Sequence, residues 1–309
     1  LPSRIDGLLE ANGKVYLMNP HGVIIGESGT VKTAEFCAIA QPIRDDMGMD
    51  EVFNSFQTVH FDIAEGQGII RHDGLIQASG CFVEGGRVLL LGSETHVQGR
   101  IEAPQGEVFV LGEEIVLHEG SSICVSHANN GGSISIGGGF QGSDPHLPNA
   151  KTVFVEKGAA LAADALEYGN GGKIILWADE LTATRGAISA RGGQSGGDGG
   201  FVEISSKGDL RFQSTVDRLA PKGRPGELLL DPSDITIVNS GGGTSVPGFP
   251  TSPGLYDPLG MTGILADADL ATGLAGGPVT VQTASGTTGS GNIVVADDVD
   301  VTWVAASSL

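Results

Sequence analysis

Basic residues and long apolar runs are scarce in this chain of 309 residues, and both shortages exclude partners. Only 17 Lys and Arg stand against 37 Asp and Glu, which leaves a net charge of −20. No basic stripe is available to displace counterions from a nucleic acid or to bind an anionic membrane surface. No apolar run reaches the length that a membrane-spanning helix requires. We therefore expect neither a nucleic acid partner nor a membrane span.

Cysteine is scarce as well, with three residues and no Cys-x-x-Cys pair. The odd count argues against a disulfide framework, and the missing pair argues against a zinc site. We expect Cys37, Cys81 and Cys124 to be small buried apolar residues.

The seven histidines show no spacing typical of a zinc site. They are His21, His60, His72, His96, His118, His127 and His146. We expect most of them to face solvent, and a metal site would need ligands that meet from neighbouring turns of the fold. The sequence therefore predicts no metal and no cofactor.

Glycine, in contrast, is abundant, and its 50 copies stand beside short runs of Val, Ile and Leu. Residues 86–97 and 106–117 align without gaps and share the pattern Gly-x-Val-x-(Leu/Val)-Leu-Gly. Looser copies of this unit recur at 13–17, 132–136, 172–177, 200–204, 226–230, 277–281 and 291–295. Apolar residues at alternate positions are typical of strands.

A second unit, Gly-x-(Ile/Leu)-x-Ala, precedes several of these copies, for example at 74–78 and 99–103. Two short strands in each period of about 20 to 28 residues predict a solenoid, and the two-residue turns of a hairpin meander are few. We therefore predict an all-β parallel β-helix of about a dozen coils. Its narrow interior would explain why aromatic residues, 11 Phe, 3 Tyr and 2 Trp, are few.

Two stretches depart from the repeat and predict short insertions outside the helix. Residues 41–71 could form a helical turn or two before a strand at 58–63. Residues 239–262 are rich in Gly, Pro, Ser and Thr and predict a surface loop, with a short helix at 261–271. Because residues 301–304 look like the middle of a strand, we expect the chain to be a piece of a longer polypeptide.

Candidate catalytic residues are weak. The glycine-rich run at 192–200 holds one Asp and lacks the ending of a phosphate-binding loop, so we expect a flexible corner. Arg185 and Arg191, near Asp179 and Glu180, form the best cluster for a polysaccharide-cleaving β-helix. Nothing places these four on one face, so no catalytic residue is predicted and the chain is expected not to be an enzyme.

Residues 3–26 are the most specific stretch of the sequence. They resemble the secretion domain of filamentous-haemagglutinin-like exoproteins, the passengers of two-partner secretion, whose pattern includes Asn-Pro-Asn-Gly-Ile. Here the pattern is Asn19-Pro20-His21-Gly22-Val23, with His21 and Val23 departing from it. Pro fixes φ, Asn bonds to nearby amides and Gly permits a positive φ, so a coil corner alone accounts for these residues. Whether this secretion motif is only a corner, or also a recognition site, stays open.

This resemblance implies a right-handed β-helix that is exported through an outer-membrane β-barrel transporter. Residues 1–118 would be the C-terminal part of the secretion domain, and residues 119–309 would continue the β-helix repeats with the loop near 239–262. The implied role is adhesion or haemagglutination by a secreted or surface-displayed protein that binds a receptor or glycan on a host or neighbouring cell. Two alternatives are the stalk of a contact-dependent toxin and a β-helical polysaccharide-cleaving enzyme.

Overall fold

The computed structural model describes residues 1–42, 68–80, 85–240, 263–283 and 289–304. Within these ranges the chain forms short strands, one 3-10 helix and one α-helix. The strands belong to three sheets, which we call A, B and C, and neighbouring strands in each sheet run parallel.

The strands follow one another through the three sheets in a fixed rotation. Sheet A holds β1 (Ser3–Ile5), β4 (Val23–Ile25), β7 (Ile69–His72), β10 (Glu94–Val97), β13 (Glu114–Leu117), β16 (Thr152–Val155), β19 (Leu181–Thr184), β22 (Asp209–Phe212), β25 (Ile235–Val238), β26 (Gly263–Ala266) and β28 (Ile293–Val295). Sheet B holds β2 (Leu8–Glu10), β5 (Thr30–Thr33), β8 (Leu75–Ala78), β11 (Arg100–Glu102), β14 (Ser122–Cys124), β17 (Ala160–Ala162), β20 (Ala187–Ser189) and β23 (Thr215–Asp217). Sheet C holds β3 (Lys14–Met18), β6 (Glu35–Ile39), β9 (Arg87–Leu91), β12 (Glu107–Leu111), β15 (Ser133–Ile136), β18 (Lys173–Ala178), β21 (Phe201–Ser206), β24 (Glu227–Asp231) and β27 (Val279–Val281).

Because the chain visits sheets A, B and C in turn, three strands make one coil and successive coils stack along a rod. The two best-aligned repeats stack directly, because the Cα of Glu107 pairs with that of Arg87 and this register continues along β9 and β12. The predicted fold, a right-handed parallel β-helix, is confirmed.

The predicted number of strands in a coil and the predicted number of coils are both wrong. Each coil has three strands instead of two, and the described residues hold eight complete coils, from β1–β3 to β22–β24, instead of about a dozen. Three strands of sheet A, β10, β13 and β16, begin directly after Ser93, Glu113 and Lys151, so the glycine-led pattern does not mark them.

Aliphatic side chains fill the interior of the rod. In the three-residue strands of sheet B only the middle residue points inward, so that Ile101, Ile123 and Leu161 stack on one another. Each such side chain contributes about 1.5–3 kcal/mol by leaving water. Phe36 and Phe212 are the aromatic side chains that the described part of this central cluster contains, as the narrow interior predicts.

Glycines open the strands of sheet C because neighbouring coils touch there. A Cβ on Gly226 would overlap the carbonyl oxygen of Gly200, and a Cβ on Gly200 would overlap that of Gly172. The backbone of one coil therefore occupies the place of a side chain on the next. The same contact recurs along the sheet from Gly106 to Gly226.

The regular order breaks near the C-terminal end. Strand β26 lies between β22 and β25 in sheet A, so a later strand separates two coils that are consecutive in sequence. The helix α1 (Asp267–Ala275) follows and packs against β23, the last described strand of sheet B. A helix predicted at 261–271 is thus confirmed as an element, but it begins at Asp267 because residues 263–266 form β26.

Arg218 joins α1 to the rod. Its side chain is fully buried, and its guanidinium group donates hydrogen bonds to four carbonyl oxygens. These belong to Val216 (3.2 Å), Gly226 (3.3 Å), Gly273 (3.0 Å) and Pro278 (3.3 Å). Burial lowers the pKa of this guanidinium to about 10.

The sequence predicts insertions outside the β-helix, and one is found at residues 137–151. We call this insertion the clasp. It connects β15 to β16 and contains the 3-10 helix Phe140–Gly142. The clasp folds over the outer face of sheet C, where Gly142 lies against the ring of Trp177. The structure predicted for 41–71, and most of the loop predicted for 239–262, lie outside the described residues. Among the helices that are described, none has the length and apolar character needed to cross a membrane.

Candidate functional site

The predicted secretion motif forms a tight turn at the corner where sheet C passes to sheet A. It connects β3 to β4, and the amide of Gly22 donates to the carbonyl of Asn19 at 2.9 Å. Pro20 occupies the second position of this turn, where its fixed φ is favourable.

The side chain of Asn19 holds this turn from within. Its Oδ1 accepts the amide of His21 at 2.9 Å, and its Nδ2 donates to the carbonyl of Leu1 and to Oγ of Ser3, each at 3.0 Å. The amide of Asn19 donates to the carbonyl of Ile39 in the next coil at 2.9 Å. The side-chain oxygen and nitrogen of Asn19 are therefore both hydrogen-bonded within the chain.

Gly22 and Val23 also serve the fold. Gly22 has a φ of +116°, and a Cβ there would come within 2.8 Å of the carbonyl oxygen of Ile69. Val23 is fully buried as the first residue of β4. Pro20 and His21, in contrast, are exposed. In the folded chain these two residues are the most exposed part of the motif.

The turn is longer than the corner requires. The same passage from sheet C to sheet A takes two residues in four other coils, at 92–93, 112–113, 179–180 and 207–208. The turn at 19–22 takes four, and the two exposed residues stand at its apex.

The cluster considered for polysaccharide cleavage is divided among three corners of one coil. Asp179 and Glu180 precede β19, Arg185 follows it, and Arg191 follows β20. Two of the side chains are engaged locally. Oδ1 of Asp179 accepts from Asn149 (3.1 Å) and Trp177 (3.2 Å), and Nε of Arg191 lies 3.5 Å from Asp217. The structure does not bring these residues onto one face.

The glycine-rich run at 192–200 forms the corner between β20 and β21, as predicted. Its one acidic residue, Asp198, accepts from Nη2 of Arg224 at 2.7 Å and from the Arg224 amide at 2.8 Å. These hydrogen bonds, the backbone one first, lower the pKa of Asp198. Over the part of the chain that the structure describes, no group of three or more His, Cys, Asp and Glu could hold a metal ion.

The predictions for cysteine and histidine are met only in part. Cys37 is buried, which raises the pKa of its thiol, whereas Cys124 is half-buried and Cys81 lies outside the described residues. Of the described histidines His21 is exposed and four are half-buried, so the expectation that most of them face solvent is met only in part. His72 is fully buried, and burial lowers its pKa to about 4.

Sequence reasoning missed a buried carboxylate beneath the clasp. Glu203, on the outer face of sheet C, is fully buried, and its Oε1 accepts the amide of Gln141 at 2.9 Å. Asp231 on the neighbouring strand accepts from Nε2 of Gln141 at 3.1 Å and of Gln282 at 2.7 Å. Burial raises the pKa of Glu203 to about 7. No local pattern marks Glu203, because its cover comes from a distant part of the sequence.

Comparison with known proteins identifies a family that the chain matches. The family model of the TPS secretion domain matches residues 1–176. Among solved structures, the chain is similar to the HMW1 secretion domain from Haemophilus influenzae, at 21% identity and a TM-score of 0.41, with 72% of this chain and 82% of that chain covered. A search of curated proteins finds no significant match.

Proposed function

The chain belongs to the TPS secretion domain family and is an exoprotein of two-partner secretion, and on this premise we propose that it acts in adhesion or haemagglutination. Export by this route makes it a secreted or surface-associated protein, with an outer-membrane transporter as its partner. We also propose that it associates with the outer membrane and that it binds a receptor or glycan on a host or neighbouring cell.

The shape and charge of the chain support a role in display. A rod of stacked coils carries its C-terminal part away from its first coil, and a net charge of −20 disfavours association between copies. The division of the best candidate catalytic cluster among three corners supports a non-enzymatic role. The predicted domain boundary at residue 118 stays a prediction, since all three sheets continue through it.

For the secretion motif, we propose that the turn at 19–22 is recognised by the transporter. This proposal is supported by the different roles of the residues within the motif. Asn19, Gly22 and Val23 hold the corner, while Pro20 and His21 extend it beyond the two residues that suffice elsewhere. The two extra residues, both exposed at the apex, support a role beyond that of the corner.

The test replaces residues 19–22 by Gly-Ser, which is the corner that residues 92–93 form in another coil. Secretion into the medium is measured with the cognate transporter, and the purified variant is checked by circular dichroism. We expect folded protein whose export is lost. Folded protein exported as well as the wild type would refute recognition and leave only the corner.

A second pair of variants separates recognition from folding. His21→Ala changes the exposed apex and should lower export without changing the unfolding temperature, whereas Lys157→Ala, an exposed residue at another corner, should change neither.

The exported wild-type protein is then tested for binding to cells. Absence of binding to host and neighbouring cells alike would refute adhesion without affecting the proposal on export.

A further inference from the structure

Two histidines meet on the outer face of sheet A. His96 lies on β10, and His118 directly follows β13 in the next coil. Nδ1 of His96 is 3.1 Å from Nε2 of His118. The two rings are nearly parallel, with 9° between their planes and 5.3 Å between their centroids. Because the centroids lie much farther apart than these two nitrogens, the nitrogens point inward, toward each other.

The outer nitrogen of each ring faces a carboxylate. Nε2 of His96 lies 3.7 Å from Glu94, and Nδ1 of His118 lies 3.4 Å from Glu156. Glu156 is itself held in place, because its other oxygen accepts the amide of Glu119 at 2.9 Å. A carboxylate favours the tautomer in which the nitrogen facing it carries the proton.

With one inner nitrogen protonated, the 3.1 Å separation is a hydrogen bond between the rings, whereas the tautomers that the carboxylates favour oppose two lone pairs. When both outer nitrogens carry protons, the inner nitrogens of His96 and His118 have none, and they repel each other unless a cation lies between them. Two nitrogens bound to one tetrahedral metal ion at about 2.0 Å stand about 3.3 Å apart. The observed 3.1 Å is close to this value, and both rings turn toward the same side when their lone pairs bind one ion.

We propose that His96 and His118 form a surface site for a divalent transition-metal ion. Imidazole suits Cu²⁺, Ni²⁺ and Zn²⁺, and Cu²⁺ is generally bound most tightly of the three. About a third of each imidazole side chain is exposed, so water completes the coordination. Glu94 and Glu156 supply negative charge on both sides of the site.

One cation on the adjoining coil, Arg71, is already engaged. Arg71 stands beside His96 in the register of sheet A, but its Nε lies 2.8 Å from Oδ2 of Asp73. Its charge is thereby offset by the residue that directly follows its own strand. The site joins two neighbouring coils, so a bound ion links them outside the hydrogen bonds of the sheet.

The test uses the full chain without a histidine tag and titrates it with Cu²⁺ and Zn²⁺ by calorimetry at pH 7.5. We expect one ion per chain, with binding lost in His96→Ala and in His118→Ala. His127→Ala, which removes a histidine elsewhere on the rod, should bind as the wild type does. Electron paramagnetic resonance of the Cu²⁺ form should show coupling to two imidazole nitrogens.

A conservative variant tests the supporting carboxylate. Glu156→Gln keeps an oxygen for the amide of Glu119 but removes the charge behind His118, and should weaken binding by about 10-fold to 100-fold. Circular dichroism establishes that each variant is folded. The proposal is overturned if the wild type binds no metal, since the pair then shares only a proton, or if folded His118→Ala binds as tightly as the wild type.

Discussion

Glu203 offers a quantitative test of how the clasp is held on the rod. The carboxyl group is fully buried between sheet C and the clasp, and its Oε1 accepts a hydrogen bond from the amide of Gln141. Burial, which disfavours the charged form, is the main reason that its pKa rises from 4.5 to about 7, and Asp231 raises it further.

The sign of the effect follows from the direction of this pKa change. Between pH 4.5 and 7 the folded protein keeps a proton on Glu203 that the unfolded chain releases, so stability is full below this window and falls as the pH rises through it. The full difference corresponds to about 3 kcal/mol of unfolding free energy. Glu203→Gln removes the titration while retaining a side-chain oxygen for Gln141. It should therefore be neutral near pH 4 and more stable than the wild type by about 3 kcal/mol at pH 8.

The assay is urea unfolding followed by circular dichroism, at several pH values from 4 to 8, for the wild type and the variant. Glu227→Gln is the matched control, because Glu227 is an exposed carboxylate on the neighbouring strand β24. The difference between Glu203→Gln and the wild type should grow with pH, whereas that of the control should not. If the unfolding free energies of Glu203→Gln and the wild type changed in parallel with pH, the charged form of Glu203 would not be buried. This result would refute the reasoning.

Two further predictions concern the interior of the rod. Gly226→Ala should lower the unfolding free energy by about 2 kcal/mol, because the new Cβ overlaps the carbonyl of Gly200, whereas Gly13→Ala has open space and should be nearly neutral in the same urea assay. Equal effects of the two substitutions would contradict the close contact between coils. Burial lowers the pKa of His72 from 6.5 to about 4, so the unfolding free energy of the wild type should fall by up to about 3 kcal/mol as the pH falls through this range. His72→Leu should not show this loss. Identical acid profiles of the two proteins would place His72 in contact with water.

The sequence alone predicts the stacking of the coils, because neighbouring copies of one pattern keep one spacing. Arg87 and Glu107 are equivalent in the two best repeats, and they pair in adjacent strands with an ion pair of 2.7 Å. Alternation of apolar and polar residues then decides which side chains point inward. These two regularities are local, so they are visible without the structure.

Contacts between distant residues are not visible in this way. The cover of Glu203 comes from Gln141, 62 residues away, and a carbonyl that satisfies Arg218 belongs to Gly273, 55 residues away. Neither burial follows from a local pattern, and a sequence with Glu or Arg at such positions predicts solvent exposure. The placement of β26 between β22 and β25 is similar, because a repeat predicts stacking in the order of the chain.

The candidate site shows the same division between local and distant causes. The turn chemistry of Asn19, Pro20 and Gly22 is local and follows from residue types. What the structure adds is that the side-chain nitrogen of Asn19 is bonded to Leu1 and Ser3, so it already has partners within the folded chain. A transporter that meets the folded turn can contact Pro20 and His21, whereas one that meets the chain before folding can contact all five residues. Export of a folded Asn19 variant therefore bears on when recognition occurs, because its loss is expected only if the unfolded chain is recognised. Loss of export in His21→Ala is expected in both cases.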